Sequence, residues 1–162
     1  MTERKIVGRD AMVEERRRLR DRGESLVFTN GCFDLLHAGH VRYLERARAL
    51  GDRLLVAVNT DETVRALKGE GRPVTPLADR MEVLAALRVV DYVVAFDERT
   101  PASVIEEILP DVLVKGGDWS LPHIVGRDVV ERSGGRVVSL PFESGYSTTS
   151  LFERILSRFR PE

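Results

Sequence analysis

The sequence has a single cysteine among its 162 residues. No disulfide can form within the chain, and a reducing compartment suits it. No apolar run reaches transmembrane length, and the first residues, Met1-Thr2-Glu3-Arg4-Lys5, are charged rather than signal-like. These absences lead to the expectation of a cytoplasmic protein. An excess of either charge is lacking too. The 25 basic and 26 acidic residues leave a formal net charge of −1, which gives no electrostatic reason to expect nucleic acid or an anionic membrane as partner. There is no H-E-x-x-H segment and no Cys/His cluster, so a zinc site formed by protein side chains is not expected. Internal repeats, low-complexity tracts and linkers are absent. What remains is 43% apolar and 31% charged, a composition and length that suit one globular domain with a real core.

Along the chain, residues 8 to 23 are polar and helix-prone. Their run Arg16-Arg17-Arg18-Leu19-Arg20 alternates with Glu14, Glu15 and Asp21 and reads as the solvated face of a helix. Runs at 26–29, 54–58, 92–96, 112–115 and 136–140 read as strands, with 26–29 short and buried and the continuous apolar run 54–58 buried on both faces. Between them, 40–50, 76–87, 101–109 and 127–133 have helical character, and 148–159 reads as a final helix. Residues 59–62 read as a polar turn with capping residues. Strands alternating with helices give an α/β fold: a single-domain, doubly wound, parallel five-stranded sheet. In such sheets ligands bind at the carboxyl ends of the strands. That rule gathers His37 and His40, Asp61, Lys115-Gly116-Gly117-Asp118 and Ser147-Thr148-Thr149.

The centre of this pattern is Thr29-Asn30-Gly31-Cys32-Phe33-Asp34-Leu35-Leu36-His37-Ala38-Gly39-His40. A strand enters a glycine turn at Asn30-Gly31 and leaves as a helix, which aims backbone N–H groups and a positive dipole end at an anion. Two histidines three apart face the same way, and Gly39 leaves room for a ligand between them. Spacing alone also admits two satisfied, partly buried histidines. Cys32 reads as a small packing residue, because the chemistry set out below requires no covalent nucleophile.

Gly31-Cys32-Phe33-Asp34-Leu35-Leu36-His37-Ala38-Gly39-His40 resembles the G-x-F-D-x-x-H-x-G-H signature of the cytidylyltransferase-like nucleotidyltransferases. The resemblance runs from Lys5 to about Leu156 and implies a Rossmann-like nucleotidyltransferase domain over 25–162, preceded by an N-terminal helical extension, 1–24. Within the family it narrows. Phe28 to Asp34, Leu67-Lys68-Gly69 with Arg72-Pro73-Val74, Asp111 to Asp118 and Ile124-Val125-Gly126 are similar to heptose 1-phosphate adenylyltransferases. So are Gly134 to Val138 and Leu140-Pro141-Phe142. The stand-alone form is expected, with a sugar kinase and a phosphatase on other polypeptides.

The resemblance implies His37, His40 and Lys68 as catalytic residues. It places Thr29, Asn30, Gly31, Phe33, Gly39, Asp61, Arg72 and Arg80 at the nucleotide, with Ser147, Thr148 and Thr149. Asp34, Lys115, Gly116, Asp118 and Trp119 fall to the acceptor. For several of these a plain structural reading stays open: a flexible surface loop for 67–73, a surface arginine for Arg80, an N-cap for Ser147, a buried structural ring for Trp119. The implied chemistry is transfer of AMP from ATP to a sugar 1-phosphate. The attacking phosphate oxygen is already ionised, so alignment and charge stabilisation carry the rate. Mg²⁺ is expected to enter with ATP. Glycerol-phosphate cytidylyltransferases carry an arginine where Phe142 stands here, which favours ATP over CTP. The alternatives are a cytidylyltransferase acting on a small alcohol phosphate and a non-catalytic nucleotide-binding module. A homodimer is expected.

Overall fold

The structure, a computed structural model, describes residues 2–117, 123–141, 143 and 145–159. Its sheet has five strands: β1 (Leu26–Gly31), β2 (Arg53–Asn59), β3 (Tyr92–Phe96), β4 (Val112–Gly116) and β5 (Arg136–Leu140). All pairings are parallel, in the order β3-β2-β1-β4-β5. The helices among the described residues are α1 (Arg9–Asp21), α2 (Ala38–Arg48), α3 (Asp61–Lys68), α4 (Leu77–Ala86), α5 (Ala102–Ile108), α6 (Arg127–Arg132) and α7 (Thr148–Phe159). None of these is long and apolar enough to cross a membrane.

Side chains alternate across a strand, and here both alternating sets are apolar. Val27, Leu54, Val56 and Val58 point into one core with Leu44 and Ala47 of α2 and Met81 and Leu84 of α4. Leu26, Phe28, Leu55 and Ala57 point into a second core with Met12 and Leu19 of α1, Ile105 and Ile108 of α5 and Val130 of α6. Each fully buried aliphatic side chain in these layers contributes about 1.5–3 kcal/mol relative to exposure.

Three expectations need correction. The arginine run of α1 is not wholly solvated, since Arg16 is buried. The cause lies at the end of α5, where Leu109 turns left-handed (φ 50°) before Pro110 and presents its carbonyl. Arg16 Nε and Arg20 Nη2 both donate to that carbonyl at 3.0 Å, and Arg16 Nη2 pairs with Asp111 at 2.7 Å. The N-terminal extension is thereby packed into the body. Residues 5–7 join it by running along β3, where Val93 N–H donates to the Lys5 carbonyl at 2.8 Å and Val7 N–H to the Val93 carbonyl at 3.0 Å. The second correction is that β1 continues through Gly31, because Asn30 and Gly31 pair with Ala57 and Val58. Third, the polar turn expected at 59–62 opens α3. Thr60 caps it by accepting from Thr63 N–H at 3.4 Å.

The sheet order puts the reversal of winding between β1 and β4, at the middle of the sheet. A crevice forms at such a point beyond the strands' carboxyl ends.

Candidate active site

β1 delivers the chain to this crevice at Gly31. Phe33, buried and left-handed at φ 48°, then turns it sharply. Such a conformation is costly for an aromatic residue and persists only where its surroundings fix it. His37 follows as the extended N-cap of α2, and its carbonyl accepts the His40 N–H at 2.9 Å. The two imidazoles stack, with ring centroids 3.9 Å apart and planes 27° from parallel, while Phe33 lies 5.5 Å from His40. Each ring buries its Nδ1 without a partner, so Nε2 is the nitrogen left to meet a ligand. Burial lowers the His37 pKa, and burial with the neighbouring His37 pushes His40 down to about 4. Near neutral pH both rings are uncharged in the empty site, which allows them to stack without repulsion. The first turn of α2 holds no acidic side chain, so nothing offsets the positive end of its dipole.

Cations gather around Cys32, which lies within electrostatic reach of Lys68, Arg80 and Arg72, and burial pushes its thiol pKa up. A neutral thiol is a poor nucleophile. Burial also lowers the Lys115 pKa, and Lys68 adds to that by repulsion. A partly desolvated lysine of this kind gains when an anion docks beside it.

This combination, a histidine pair at a helix start with cations around the neighbouring Cys32, meets a family pattern that spans most of the chain. The model described as cytidylyltransferase-like matches residues 28–154. The chain belongs to the cytidylyltransferase-like family. Among curated relatives, the protein named bifunctional protein HldE of Citrifermentans bemidjiense is 54% identical over 96% of this chain and 32% of its own length. The HldE of Halorhodospira halophila is 58% identical over 94% of this chain and 32% of its own. The chain thus spans about a third of the length of the curated relatives it matches. A crystal structure titled as the lipopolysaccharide core biosynthesis protein of Thermoplasma volcanium superposes with a TM-score of 0.62. It shares 28% identity and covers 77% of this chain and all of that one.

Several residues expected to touch ligand in this cytidylyltransferase-like domain are engaged in the structure itself. Thr29 is fully buried, its hydroxyl 2.7 Å from the Tyr43 hydroxyl. Asp34 is expected at the acceptor but is buried, and accepts from Arg72 Nε and, at 2.9 Å each, from the N–H groups of Val74 and Thr75. It holds the segment after Gly71 down on the motif. Arg72 is therefore tied to Asp34, with its guanidinium 4.7 Å from the Phe152 ring centroid. Arg80 is no surface arginine. It is 1% exposed and donates to the carbonyls of Thr75, Cys32 and Asn59 and to Asp61 Oδ1. Arg80 thereby ties the Cys32, Asn59 and Thr75 backbone together, with Asp61 as its ion-pair partner.

Gly39 also differs from expectation. The stacked rings leave no room between them. A Cβ on Gly39 would stand 2.7 Å from Tyr146 Cβ and 3.0 Å from His37 Nδ1, so the glycine admits those two side chains.

Asn30 and Lys115 line a cavity of about 90 Å³ with His123. Gly116 closes β4 next to Leu140 of β5. A larger hollow, about 680 Å³, lies between the N-terminal residues and α4 and holds none of the candidates. Ser147 caps α7 by accepting from the Ser150 N–H at 2.9 Å, and Thr148 and Thr149 form its first turn. Lys68, exposed, ends α3. Asp118, Trp119 and Phe142 lie outside the described residues. Tyr146 went unremarked in the sequence. Its one signal is position, directly before Ser147-Thr148-Thr149.

Proposed function

We propose that this domain transfers AMP from ATP to the phosphate of a heptose 1-phosphate and releases pyrophosphate, giving an ADP-sugar for envelope glycans. The observation that carries nucleotidyl transfer is the stacked pair of neutral histidines at the start of α2. An acceptor phosphate oxygen attacks the α-phosphorus, the bond to the β-phosphate oxygen breaks, and pyrophosphate leaves with the electron pair. His37 and His40 donate from Nε2–H to phosphate oxygens as that charge develops. Lys68 and Lys115 attract the phosphates of the two substrates, which otherwise repel each other. Among the described residues no group of three or more His, Cys, Asp or Glu is placed to hold a metal. Mg²⁺ belongs to the substrate, bound to the phosphate oxygens of ATP.

The choice of adenine and of heptose is supported by the motif segments set out above and by the HldE relatives. The neighbour titled for lipopolysaccharide core biosynthesis agrees with a role in envelope glycans. Sugar 1-phosphates come from a kinase or mutase step, so such an enzyme is the expected supplier. The proposal extends to a homodimer. Its support is α7, which buries no residue and leaves Ile155, Leu156 and Phe159 exposed.

The test is pyrophosphate release with ATP or CTP, each paired with heptose 1-phosphate or glycerol 3-phosphate. The highest kcat/KM is expected for ATP with heptose 1-phosphate. A preference for CTP with glycerol 3-phosphate overturns both halves. No release with any pair would overturn catalysis itself.

A further inference from the structure

The histidine pair does not stand alone. Tyr146 also packs against His37, with ring centroids 6.0 Å apart and planes 26° from parallel, which joins His40, His37 and Tyr146 in one group of near-parallel rings. Arg42, one turn into α2, closes its outer end with Cζ 5.2 Å from the Tyr146 centroid. The segment that carries Tyr146 is fastened to the same helix. Arg46 Nη2 donates to the Pro141 carbonyl at 2.8 Å, and Glu143 lies 3.6 Å from both Arg42 and Arg46. The close approach depends on Gly39, since a Cβ there would meet Tyr146 Cβ at 2.7 Å.

From this geometry we infer that Tyr146 is the positioning residue of His37, holding the imidazole in the rotamer that turns Nε2 to the phosphates. The inference rests on the catalytic reading of His37. The physical need is plain. His37 is the N-cap of α2 but its side chain makes no capping hydrogen bond, and its buried Nδ1 has no partner. Among the described residues no hydrogen bond fixes the ring, and its ring contacts are those with His40 and Tyr146. A ring held by packing becomes freer to turn when one neighbour is removed, and misplacement of a donor by about 1 Å costs up to ~10²-fold in rate. The Tyr146 hydroxyl takes no part in the stack, so phenylalanine serves as well. Tyr146 itself is 40% exposed, so its loss leaves the core intact.

The experiment is a kinetic cycle on the full chain with Tyr146→Ala, Tyr146→Phe, His37→Ala and the double variant His37→Ala/Tyr146→Ala. His37 is also titrated by NMR in the empty enzyme. Tyr146→Ala is expected to lower kcat ~10-fold with the KM for ATP changed less than threefold, whereas Tyr146→Phe stays within twofold of the parent. In the His37→Ala background, Tyr146→Ala should cost nothing further, because it acts through a ring no longer present. The His37 pKa, lowered by burial, should rise toward the ordinary value in Tyr146→Ala and stay put in Tyr146→Phe. If His37→Ala keeps parental kcat, the catalytic reading of His37 fails. If His37→Ala is impaired but Tyr146→Ala is not, or the two losses multiply, the catalytic reading survives and the positioning role is overturned.

Discussion

Replacing Arg80 by methionine keeps most of the buried volume and removes every hydrogen bond the side chain makes. In the folded protein Nε donates to the Thr75 carbonyl at 2.9 Å, Nη1 to the Cys32 carbonyl, and Nη2 to the Asn59 carbonyl at 2.8 Å and to Asp61 at 2.6 Å. Asp61 is 38% exposed at its side chain and rehydrates at little cost. The carbonyls lose a charged donor in a site that excludes most water, at about 1–3 kcal/mol each where no replacement reaches them. Some water will enter, so the expected loss is about 4 kcal/mol, toward the low end of the sum over three carbonyls. For a chain of this size that lowers Tm by roughly 8–16 °C. Arg80→Lys keeps the charge but reaches fewer of these acceptors, and should lose about half as much. Asp61→Asn removes only a partly exposed pair and should cost less than about 1 kcal/mol. The assay is urea unfolding followed by circular dichroism, with the midpoint shift compared at constant m. A loss under about 1 kcal/mol for Arg80→Met would refute the staple. So would an Asp61→Asn loss equal to that of Arg80→Met, since the ion pair rather than the carbonyls would then carry the effect.

His37→Ala and His40→Ala should each lower kcat by ~10²-fold or more while ATP affinity changes less, and parental kcat in either, measured by pyrophosphate release, would remove that histidine from the mechanism. Lys68→Ala should reduce turnover and leave the urea midpoint within about 0.5 kcal/mol, because an exposed lysine at a helix end makes little core contact. The segment from Gly69 to Gly71 should be cut by protease in the empty enzyme and protected by ATP, and equal cutting in both states would count against closure. His40 titrates near 4 in the folded empty site and near 6.5 unfolded. Its contribution to stability is thus complete above pH 6.5 and lost as pH falls toward 4. That amounts to about 2 kcal/mol after allowing for the solvent that still reaches the ring. The urea midpoint at pH 7.5 and pH 5 should differ by less in His40→Asn than in the parent.

The sheet was legible because its strands are short runs rich in apolar and β-branched residues between turn residues, and β2, an inner strand, is apolar on both faces. Helix α3 was not, since it is only eight residues long and buries only Thr63 and Val64. The histidines were legible through a long motif. Buried arginines were not, because what buries them lies far along the chain: the Asn59 carbonyl is 21 residues from Arg80, and that of Leu109 is 93 from Arg16. A local window sees charge and assigns it to solvent. The internal partners of Asp34 were hidden for the same reason, as Val74 and Thr75 are 40 and 41 residues away. Tyr146 becomes meaningful only when the fold brings it against Gly39.

The strand order has a consequence during synthesis. β1, the first of these five strands in chain order, occupies the centre of the sheet, so it must find neighbours on both sides. One side is met early by β2. The other waits for β4, and Leu26 N–H meets its partner Asp111 85 residues later. At about 5–20 residues per second that is about 4–17 s in which an apolar strand displays an unpaired edge. Translation that stops before Val112 leaves this edge open for good, with Val27 and Phe28, which should face Val112 and Leu113, free to recruit a strand from another chain.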